Sequence, residues 1–268
     1  MDQAVILARG LGKRMRAGSG AALTAEQQRA AASGVKAMVP IGRPFLDYVL
    51  TALADAGYHR VGLVIGPEHD AVRRYYTRDV RPTRLTVDFA VQAEARGTAD
   101  AVAAAEPLVG DDPILVINSD NYYPPEALAA LRRLEGPGLA AFSRHAMIER
   151  SNVAAERITR FAVVEADDAG VLRRIHEKPD ADLIAALPEP VGVSMNCWRF
   201  DARIFEACRR IKPSSRGEYE ITDAVQYSID HLGVAYRVVM FDEPVLDLSS
   251  RDDVAGVATR LKGQEVRL

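Results

Sequence analysis

Cysteine is scarce in this sequence, with only two among 268 residues. Two cysteines are too few for a disulfide framework. Cys197 lies in a strand-like run and Cys208 on an amphipathic helix pattern, so both are predicted to be buried thiols. No apolar run approaches the roughly 20 residues that span a bilayer, and Met1-Asp2-Gln3 lacks the basic leader of a signal peptide. Together these absences predict a cytoplasmic location for the protein.

A strong excess of one charge is also missing. Lys and Arg number 34 against 37 Asp and Glu, which gives a formal net charge of −3 and a pI near 6.0. Neither nucleic acid nor an anionic membrane is indicated as a partner. The five histidines show no metal-ligand spacing. A site for a phosphorylated ligand must therefore be built locally.

Apolar runs alternate with helix-length segments through the first half of the chain. Strands are predicted at 4–8, 60–66, 85–92 and 113–120, and helices at 45–55, 68–76, 98–109 and 125–135. This alternation implies right-handed crossovers and a mainly parallel, doubly wound sheet. Ligands bind outside the carboxyl ends of strands in such sheets. Several notable residues fall there: Gly10, Gly12, Gln92 and Asp120.

The second half of the sequence has a more mixed pattern. A β-hairpin is predicted at 161–165 and 171–175, strands at 191–200, 236–241 and 245–248, and helices at 202–211, 221–232 and 252–262. The stretch 17–34 reads as an exposed loop with a short helix at 26–32. The sheet is therefore expected to be mixed.

Two glycines follow the first predicted strand, in the segment Leu7-Ala8-Arg9-Gly10-Leu11-Gly12-Lys13-Arg14-Met15. Close glycines let backbone N–H groups turn toward an anion, and Lys13 and Arg14 add positive charge. The third glycine of the dinucleotide fingerprint is missing, and neither the spacing nor the Lys-Ser/Thr pair of a P-loop is present. Taken alone, a tight turn with two exposed basic residues explains the segment equally well.

A second segment favours the phosphate-binding interpretation of the first: Gly34-Val35-Lys36-Ala37-Met38-Val39-Pro40-Ile41-Gly42-Arg43-Pro44. Together the two segments resemble the sugar nucleotidylyltransferase family, whose usual opening is Leu-Ala-Gly-Gly-x-Gly-Thr-Arg-Leu/Met. Its next block is Lys-x-Met/Leu-x-Pro-Ile/Val with a Lys-Pro before a helix. The resemblance continues in order at 92–99, 118–121, 177–179, 216–223 and 245–250, so it covers nearly the whole chain.

The resemblance implies an α/β, doubly wound, mainly parallel (mixed) sheet with a Rossmann-like nucleotidyltransferase (GT-A-like) fold. It implies one domain over 1–268, with a nucleotide-binding half at 1–135, a sugar-binding half at 136–268 and no C-terminal hexapeptide-repeat domain. The implied reaction joins a nucleoside triphosphate to a sugar 1-phosphate or a sugar-like phosphate and releases pyrophosphate, with Mg²⁺ as cofactor. A homo-oligomer is common in the family and is left open by the sequence.

The resemblance also assigns roles to individual residues. The catalytic set, which would hold the phosphates, is Arg14, Lys36 and Lys178. The nucleotide-binding set is Ala8, Gly10, Leu11, Gly12, Lys13, Gln92, Gly97 and Thr98. The set for the sugar phosphate is Asn121, Glu177, Gly192 and Asn196. The magnesium ligands would be Asp120 and Asp247.

The chemistry of the reaction agrees with this assignment. Attack of one phosphate on another brings like charges together, so catalysis needs positioning and positive charge rather than a covalent nucleophile. Magnesium takes one or two protein carboxylates, with phosphates and waters completing its shell. Asp120 and Asp247 can meet only if the fold brings two strand ends together. Simpler roles compete: Asp120 could cap the helix at 125, Asp247 could be a turn residue, and Glu177-Lys178 could be a surface pair.

The sequence departs from the family pattern in several places. Arg9 stands where glycine or alanine is usual, and its side chain could crowd the nucleotide, point outward or add a phosphate contact. Lys13 replaces threonine, Ser249-Ser250 replaces Gly-Thr, and the long connection from Arg14 to Lys36 could form a lid or an interface. A non-catalytic sensor on the same fold is the alternative function. A glycosyltransferase would usually need an Asp-x-Asp motif, which the sequence does not supply. Uridine or thymidine is the expected base, with guanosine and cytidine as alternatives.

Overall fold

The computed structural model describes residues 1–17 and 20–268 and places a large mixed sheet at the centre of the molecule. The strands are β1 (Gln3–Leu7), β2 (Arg60–Ile65), β3 (Thr86–Val91), β4 (Ile114–Asn118), β5 (Asn121–Tyr122), β6 (Gly138–Ser143), β7 (Val163–Ala166), β8 (Leu172–His176), β9 (Gly192–Phe200), β10 (Arg237–Phe241) and β11 (Leu246–Asp247). The helices are α1 (Lys13–Arg16), α2 (Ala25–Ser33), α3 (Phe45–Asp55), α4 (Asp70–Arg74), α5 (Thr98–Ala104), α6 (Glu106–Val109), α7 (Pro125–Arg133), α8 (Arg144–Arg150), α9 (Ala155–Ile158), α10 (Ala181–Ala186), α11 (Arg203–Arg210), α12 (Ile221–Leu232) and α13 (Asp253–Arg260).

The order of strands in the main sheet is β10-β6-β9-β4-β1-β2-β3, and β7 joins β9 as one arm of the β7–β8 hairpin. Strand β1 is parallel to β2 and β4, and β2 is parallel to β3. Strand β9 is antiparallel to both β4 and β6, so β4 and β6 run in the same direction. The carboxyl ends of β1, β2, β3, β4 and β6 therefore lie at one edge of the sheet. This confirms the predicted mixed, mainly parallel α/β architecture.

The sheet has a hydrophobic core on each face. Side chains alternate along a strand, so Val5 and Ile6 of β1 enter opposite cores. One core includes Phe45 and Leu50 of α3, and the other includes Trp198 of β9. Trp198 is fully buried and stacks on Phe200, with ring centroids 5.6 Å apart.

Local signals fixed several elements. Helix α3 begins after Pro44 and covers Phe45–Asp55, as predicted, because its apolar face and its start and stop residues agree. Helix α2 covers Ala25–Ser33, close to the prediction of 26–32. Its N-cap Thr24 accepts a hydrogen bond from the Gln27 backbone, and the Gln27 side chain accepts one from the Thr24 backbone. Gly18 and Ser19, inside the predicted loop, lie outside the described residues.

Other elements differ from the predictions. Strand β6 was missed because all six of its residues are buried, which removes the polar–apolar alternation that marks a strand. Helices α8, α9 and α10 and strand β5 were also missed. The helix predicted at 98–109 is two helices that break at Ala105. The helix predicted at 68–76 begins at Asp70 and ends at Arg74, where a π-helical turn at Tyr75–Asp79 follows.

The predictions drawn from the two cysteines and from the lack of long apolar runs can also be compared with the structure. Cys197 and Cys208 are both buried and free, as predicted. Among the described residues, no helix has the length and apolar character needed to cross a membrane.

Candidate active site

A cleft of about 440 Å³ lies at the carboxyl ends of β1, β3 and β4. We call it the central cleft. Most of the predicted nucleotide-binding and phosphate-binding residues line it, namely Ala8, Gly10, Leu11, Gly12, Lys13, Arg14, Lys36, Gln92, Gly97, Thr98, Asp120 and Asn196. Arg9, Asn118, Ser119 and Glu218 line it as well. The sheet edge thus gathers residues from distant segments, as expected for a doubly wound sheet.

The glycine turn after β1 is packed tightly against the end of α2. Gly12 has φ +60°, and a Cβ placed on it would lie 2.1 Å from the carbonyl oxygen of Gly34. Only glycine fits such a position, because a side chain would meet backbone atoms and oppose the left-handed conformation. Arg16 donates a hydrogen bond to the Ser33 carbonyl at 2.8 Å. The end of α2 and Gly34 therefore support the turn.

The side chain of Arg9 passes over Gly66 and reaches Glu68 and Gln92. Its Nη1 lies 2.7 Å from Oε1 of Glu68, and its Nε donates to the carbonyl oxygen of Gln92 at 3.2 Å. A Cβ on Gly66 would meet the Arg9 side chain at 2.6 Å, so this glycine leaves room for the crossing. Arg9 therefore ties the ends of three neighbouring strands together through Glu68 and Gln92.

Lys36 and Asp120 form an ion pair in the central cleft. The Nζ of Lys36 lies 2.6 Å from Oδ2 of Asp120, and both side chains are about four-fifths buried. The 3₁₀ turn at Lys36–Met38, which follows Gly34, presents the lysine. The N-cap of α7 is Pro124, so Asp120 has the lysine as its partner rather than the helix terminus.

Strands β5 and β11 bring the second predicted aspartate beside the first. Asp247 pairs with Asn121, and the backbone N–H of Leu248 donates to the Asp120 carbonyl at 2.8 Å. Asp247 is only 4% exposed. Burial, and then the charge of Asp120, raise the pKa of Asp247 to about 6.

Asp247 is also clamped by the segment that contains α9. Arg157 donates to Oδ2 of Asp247 at 2.7 Å and to Oδ1 of Asp253 at 2.6 Å. Asn152 bonds both backbone groups of Asp247, accepting from its N–H at 2.9 Å and donating to its carbonyl at 2.7 Å. The hydroxyl of Ser249 donates to Oδ1 at 2.5 Å. The carboxylate is thus held in one orientation.

These two carboxylates suit a hard divalent cation. Oxygen donors from one or two carboxylates are what magnesium accepts from proteins, with ligand phosphates and water completing the shell. Burial raises the pKa of Asp247 most and the charge of Asp120 raises it further, and a cation bound between the two carboxylates would offset that second effect. Lys36 and Arg157 now occupy one oxygen of each carboxylate. Within the described residues no group of three or more His, Cys, Asp or Glu is arranged to hold a metal. Two carboxylates alone would leave most of the shell of such a cation to ligand oxygens and water.

Gln92 presents a defined amide edge to the central cleft. Its Nε2 donates to the Gly97 carbonyl at 3.1 Å and to Oδ2 of Asp100 at 2.7 Å. Two acceptors on this side fix the amide orientation, because the carbonyl end of the side chain cannot bond to either. The Oε1 atom of Gln92 consequently faces away from them as an acceptor.

The loop after Gln92 is fastened to the segment before α12. Gly97 has φ +117°, and a Cβ there would lie 2.4 Å from the Tyr219 carbonyl oxygen. Ala99 donates from its backbone to that same oxygen at 2.9 Å, and Ile221 donates to the Thr98 hydroxyl at 2.8 Å. The guanidinium of Arg96 lies over the Tyr219 ring. The matched segment at 216–223 therefore positions residues 96–99.

Two predicted residues have unusual backbone conformations. Within residues 1–17 and 20–268, the non-glycine residues with positive φ are Lys178 (φ 47°) and Asn196 (φ 54°). Such conformations cost energy and concentrate at functional sites. Asn196 lines the central cleft. Lys178 lines a second cavity of about 730 Å³ together with Arg144 and Arg160, which we call the cationic cavity.

The remaining predicted residues lie outside the central cleft. Glu177 is exposed. Gly192 packs closely, since a Cβ there would lie 2.9 Å from Val164 Cγ2. Asn121 is buried, where its Oδ1 accepts from Nδ2 of Asn118 at 3.1 Å. The structure thus separates the central cleft from the surroundings of Lys178.

The nucleotidyl transferase family model matches residues 3–254 of this sequence. The chain belongs to this family. It is therefore a nucleotidyltransferase, as the sequence predicted. A relative, the UTP–glucose-1-phosphate uridylyltransferase AglF of Haloferax volcanii, is 28% identical over 261 residues that cover 97% of this chain and 96% of the relative. A glucose-1-phosphate thymidylyltransferase of Streptomyces antibioticus is 33% identical over 192 residues, which cover 70% of this chain and 49% of the relative.

Solved structures share the fold of this nucleotidyltransferase. A UDP-glucose pyrophosphorylase complexed with UDP-glucose superposes with a TM-score of 0.73 at 18% identity, covering 99% of this chain and 100% of the other. A UTP-bound UGPase from Acinetobacter baumannii gives a TM-score of 0.75 at 18% identity, covering 99% and 95%. The predicted Rossmann-like nucleotidyltransferase fold is thereby confirmed.

Sequence reasoning missed several residues that shape the site of this nucleotidyltransferase. Arg157 and Asn152 lie in a stretch where no pattern was recognised, and nothing in their spacing connects them to Asp247. Tyr219 lies inside a matched segment but received no role. The signal that could have found it is the glycine at 97, which indicates a close backbone approach.

Proposed function

We propose that this nucleotidyltransferase joins a nucleoside triphosphate to a sugar 1-phosphate and releases pyrophosphate. The carrying observation is that one cleft gathers the glycine turn, the Lys36–Asp120 pair and the Gln92–Gly97 edge. Relatives named as uridylyl- and thymidylyltransferases of glucose 1-phosphate support the acceptor class.

The proposed reaction is a direct displacement. An oxygen of the sugar phosphate forms a bond to the α-phosphorus of the triphosphate, while the bond from that phosphorus to the bridging oxygen breaks. Pyrophosphate leaves with the electron pair. All reacting groups are anionic, so Lys13 and Arg14 after the glycine turn and Lys36 deeper in the cleft would offset repulsion and align the phosphates. The attacking oxygen is already ionised near neutral pH, and no general base is required. Lys178 would join these cations on the sugar side.

Asp120 and Asp247 would hold a magnesium ion, which supplies positive charge to the phosphate oxygens when bound. Arg157 and Asn152 fix the orientation of Asp247 for this purpose. Lys36, now paired with Asp120, would then be free to turn toward a phosphate.

The amide edge in the central cleft favours a base with a keto group beside a ring N–H. Gln92 offers an acceptor, and the backbone N–H of Gly97 has no hydrogen-bond partner among the described residues. Uracil and thymine present N3–H and O4, which complement this pair, whereas cytosine presents the reverse pattern. Guanine shares the keto pattern in a larger ring system. UTP or dTTP is therefore the proposed nucleotide.

The test measures pyrophosphate release from UTP, dTTP, GTP and CTP with glucose 1-phosphate, with magnesium and with excess EDTA. Release with UTP or dTTP that stops in EDTA supports the proposal. Release of a nucleoside diphosphate from UDP-glucose, supplied with glucose 1-phosphate in place of the triphosphate, would indicate a glycosyltransferase instead. Tight binding of UTP without any product would indicate a sensor and would overturn the proposed activity.

A further inference from the structure

The cationic cavity has three positive side chains and one carboxylate in its lining. Arg144 begins α8, Arg160 follows α9 and Lys178 follows β8, so three separate segments converge on it. In the described part of the chain none of these three side chains has a hydrogen-bond or ion-pair partner. The carboxylate is that of Glu189, which accepts from the Val191 backbone N–H at 3.0 Å.

Two neighbouring arginines, by contrast, have acidic partners. Arg150, on the same helix as Arg144, is paired with Asp242 at 2.8 Å. Arg157, three residues before Arg160, is paired with two aspartates. The cavity lining carries three cations and one carboxylate. A net positive charge therefore remains in the cavity, and a bound anion would offset it. Arginine is also well suited to carboxylate and phosphate, since its planar fork can bond two oxygens at once.

The cavity also has an apolar wall. Helix α10 contributes Ala181, Ile184 and Ala185, and Leu187 follows it. None of the six residues of α10 is buried, so the helix covers the cavity rather than the core. The volume of about 730 Å³ lies within the usual range for small-molecule sites. An anionic ligand with a carbon skeleton fits this combination.

The cavity lies beside the central cleft on the same sheet edge. Strand β9 links them: Asn196 lines the central cleft, and Gly192 pairs with Ser143, the residue before Arg144. Four residues of extended strand span about 13 Å. Lys178, already proposed to bind the acceptor phosphate, lines the cationic cavity. An acceptor could therefore lie between the two.

We propose that the acceptor of this enzyme is a sugar 1-phosphate with a second anionic group, a carboxylate or a phosphate, bound by Arg144 and Arg160 in the cationic cavity. This inference rests on the proposed function and names its acceptor class. Hexose 1-phosphates with an uncharged sugar ring lack the second anionic group that these two arginines would bind, so they are poorer acceptors.

The experiment compares three acceptors with UTP and magnesium: glucose 1-phosphate, glucuronate 1-phosphate and glucose 1,6-bisphosphate. A charge-assisted pair predicts that kcat/KM is about tenfold or more higher for at least one anionic acceptor. The preferred one identifies the group as carboxylate or phosphate. Arg160→Gln and Arg144→Gln should each reduce this preference toward one, while Arg150→Gln, whose side chain lies outside the cavity, should retain it.

Two results would overturn the inference. One is a preference for glucose 1-phosphate, or none at all, in the unmodified enzyme. The other is an anionic preference that survives both cavity variants. Thermal stabilisation by UTP verifies that each variant is folded. If no acceptor is used, the acceptor class is wrong, and UTP binding decides separately whether the nucleotide site stands.

Discussion

The two glycines of the turn after β1 have different physical roles. Gly12 combines a positive φ with a carbonyl oxygen 2.1 Å from the place of a Cβ, whereas a Cβ on Gly10 would meet nothing within 4 Å. Position 12 needs glycine for both its conformation and the space around it. Position 10 has room for a side chain.

We expect Gly12→Ala to lower the free energy of unfolding by about 2 kcal/mol or more, because left-handed strain and steric overlap add. Urea unfolding measures this change, and UTP binding should weaken with it. Gly10→Ala is the matched control and should lower the free energy by less than about 1 kcal/mol. Equal losses in both variants would contradict this account of the turn.

Lys36 gives a second prediction at this scale. Lys36→Met removes a cation from the central cleft and should lower kcat/KM for pyrophosphate formation by about a hundredfold or more. The fold should persist, because the backbone hydrogen bonds around residue 36 do not involve this side chain. Lys262→Met, on an exposed lysine far along the chain, should leave kcat/KM unchanged. A Lys36 variant with full activity would remove this lysine from the mechanism.

At the scale of elements, α2 and the segment around α9 both act as supports. The first packs against Gly12 through Gly34, and the second holds Asp247 through Arg157 and Asn152. Neither element contributes a residue of its own to the lining of the central cleft. Each therefore influences the site by positioning.

Removal of the α2 cap tests the first support. Thr24→Ala deletes a side chain that accepts from the Gln27 backbone and should cost about 1 kcal/mol of unfolding free energy. Arg29→Ala, at an exposed position of the same helix, should change it by less than about 0.5 kcal/mol. Chemical denaturation compares the two variants. A loss no larger for Thr24→Ala than for the control would show that the cap is unimportant.

Removal of the Arg157 guanidinium tests the second support. Arg157→Leu leaves the buried carboxylates of Asp247 and Asp253 without their cation, so we expect a loss of about 3 kcal/mol. Arg150→Leu breaks an exposed pair with Asp242 and should cost less than about 1 kcal/mol. Denaturant midpoints provide the comparison. Similar losses would mean that the Asp247 clamp adds no more stability than an exposed ion pair.

The sequence could predict elements whose signals are local. Helix α12 was predicted at its observed bounds because periodicity and Gly233 at its end agree. The strand-end rule also located the central cleft. Strand β6 and the Arg157 clamp were missed because burial on both faces erased the pattern of the one, and tertiary contact alone defines the other. The path of the Arg9 side chain depends on Gly66, which follows a different strand, and could not be predicted from the sequence either.

At the scale of the whole molecule, ligand binding should stabilise the fold. Residues of both halves meet at the nucleotide edge, where Gly97 contacts Tyr219. A ligand at one hundred times its Kd adds about 2.7 kcal/mol. UTP or dTTP with magnesium should therefore raise Tm by several degrees, and CTP at the same concentration should raise it less. Scanning calorimetry measures the shifts, and an equal shift with CTP would contradict the proposed base edge.

The position of β9 has a consequence for how the protein is made. Strand β4 pairs with β9 along one side, yet β4 ends at Asn118 and β9 begins only at Gly192. During synthesis, the edge of β4 that pairs with β9 therefore stays unpaired while more than seventy further residues are added. An open apolar edge can pair with a neighbouring nascent chain. The late position of β9 in the chain thus leaves β4 exposed to such pairing until β9 has been synthesised.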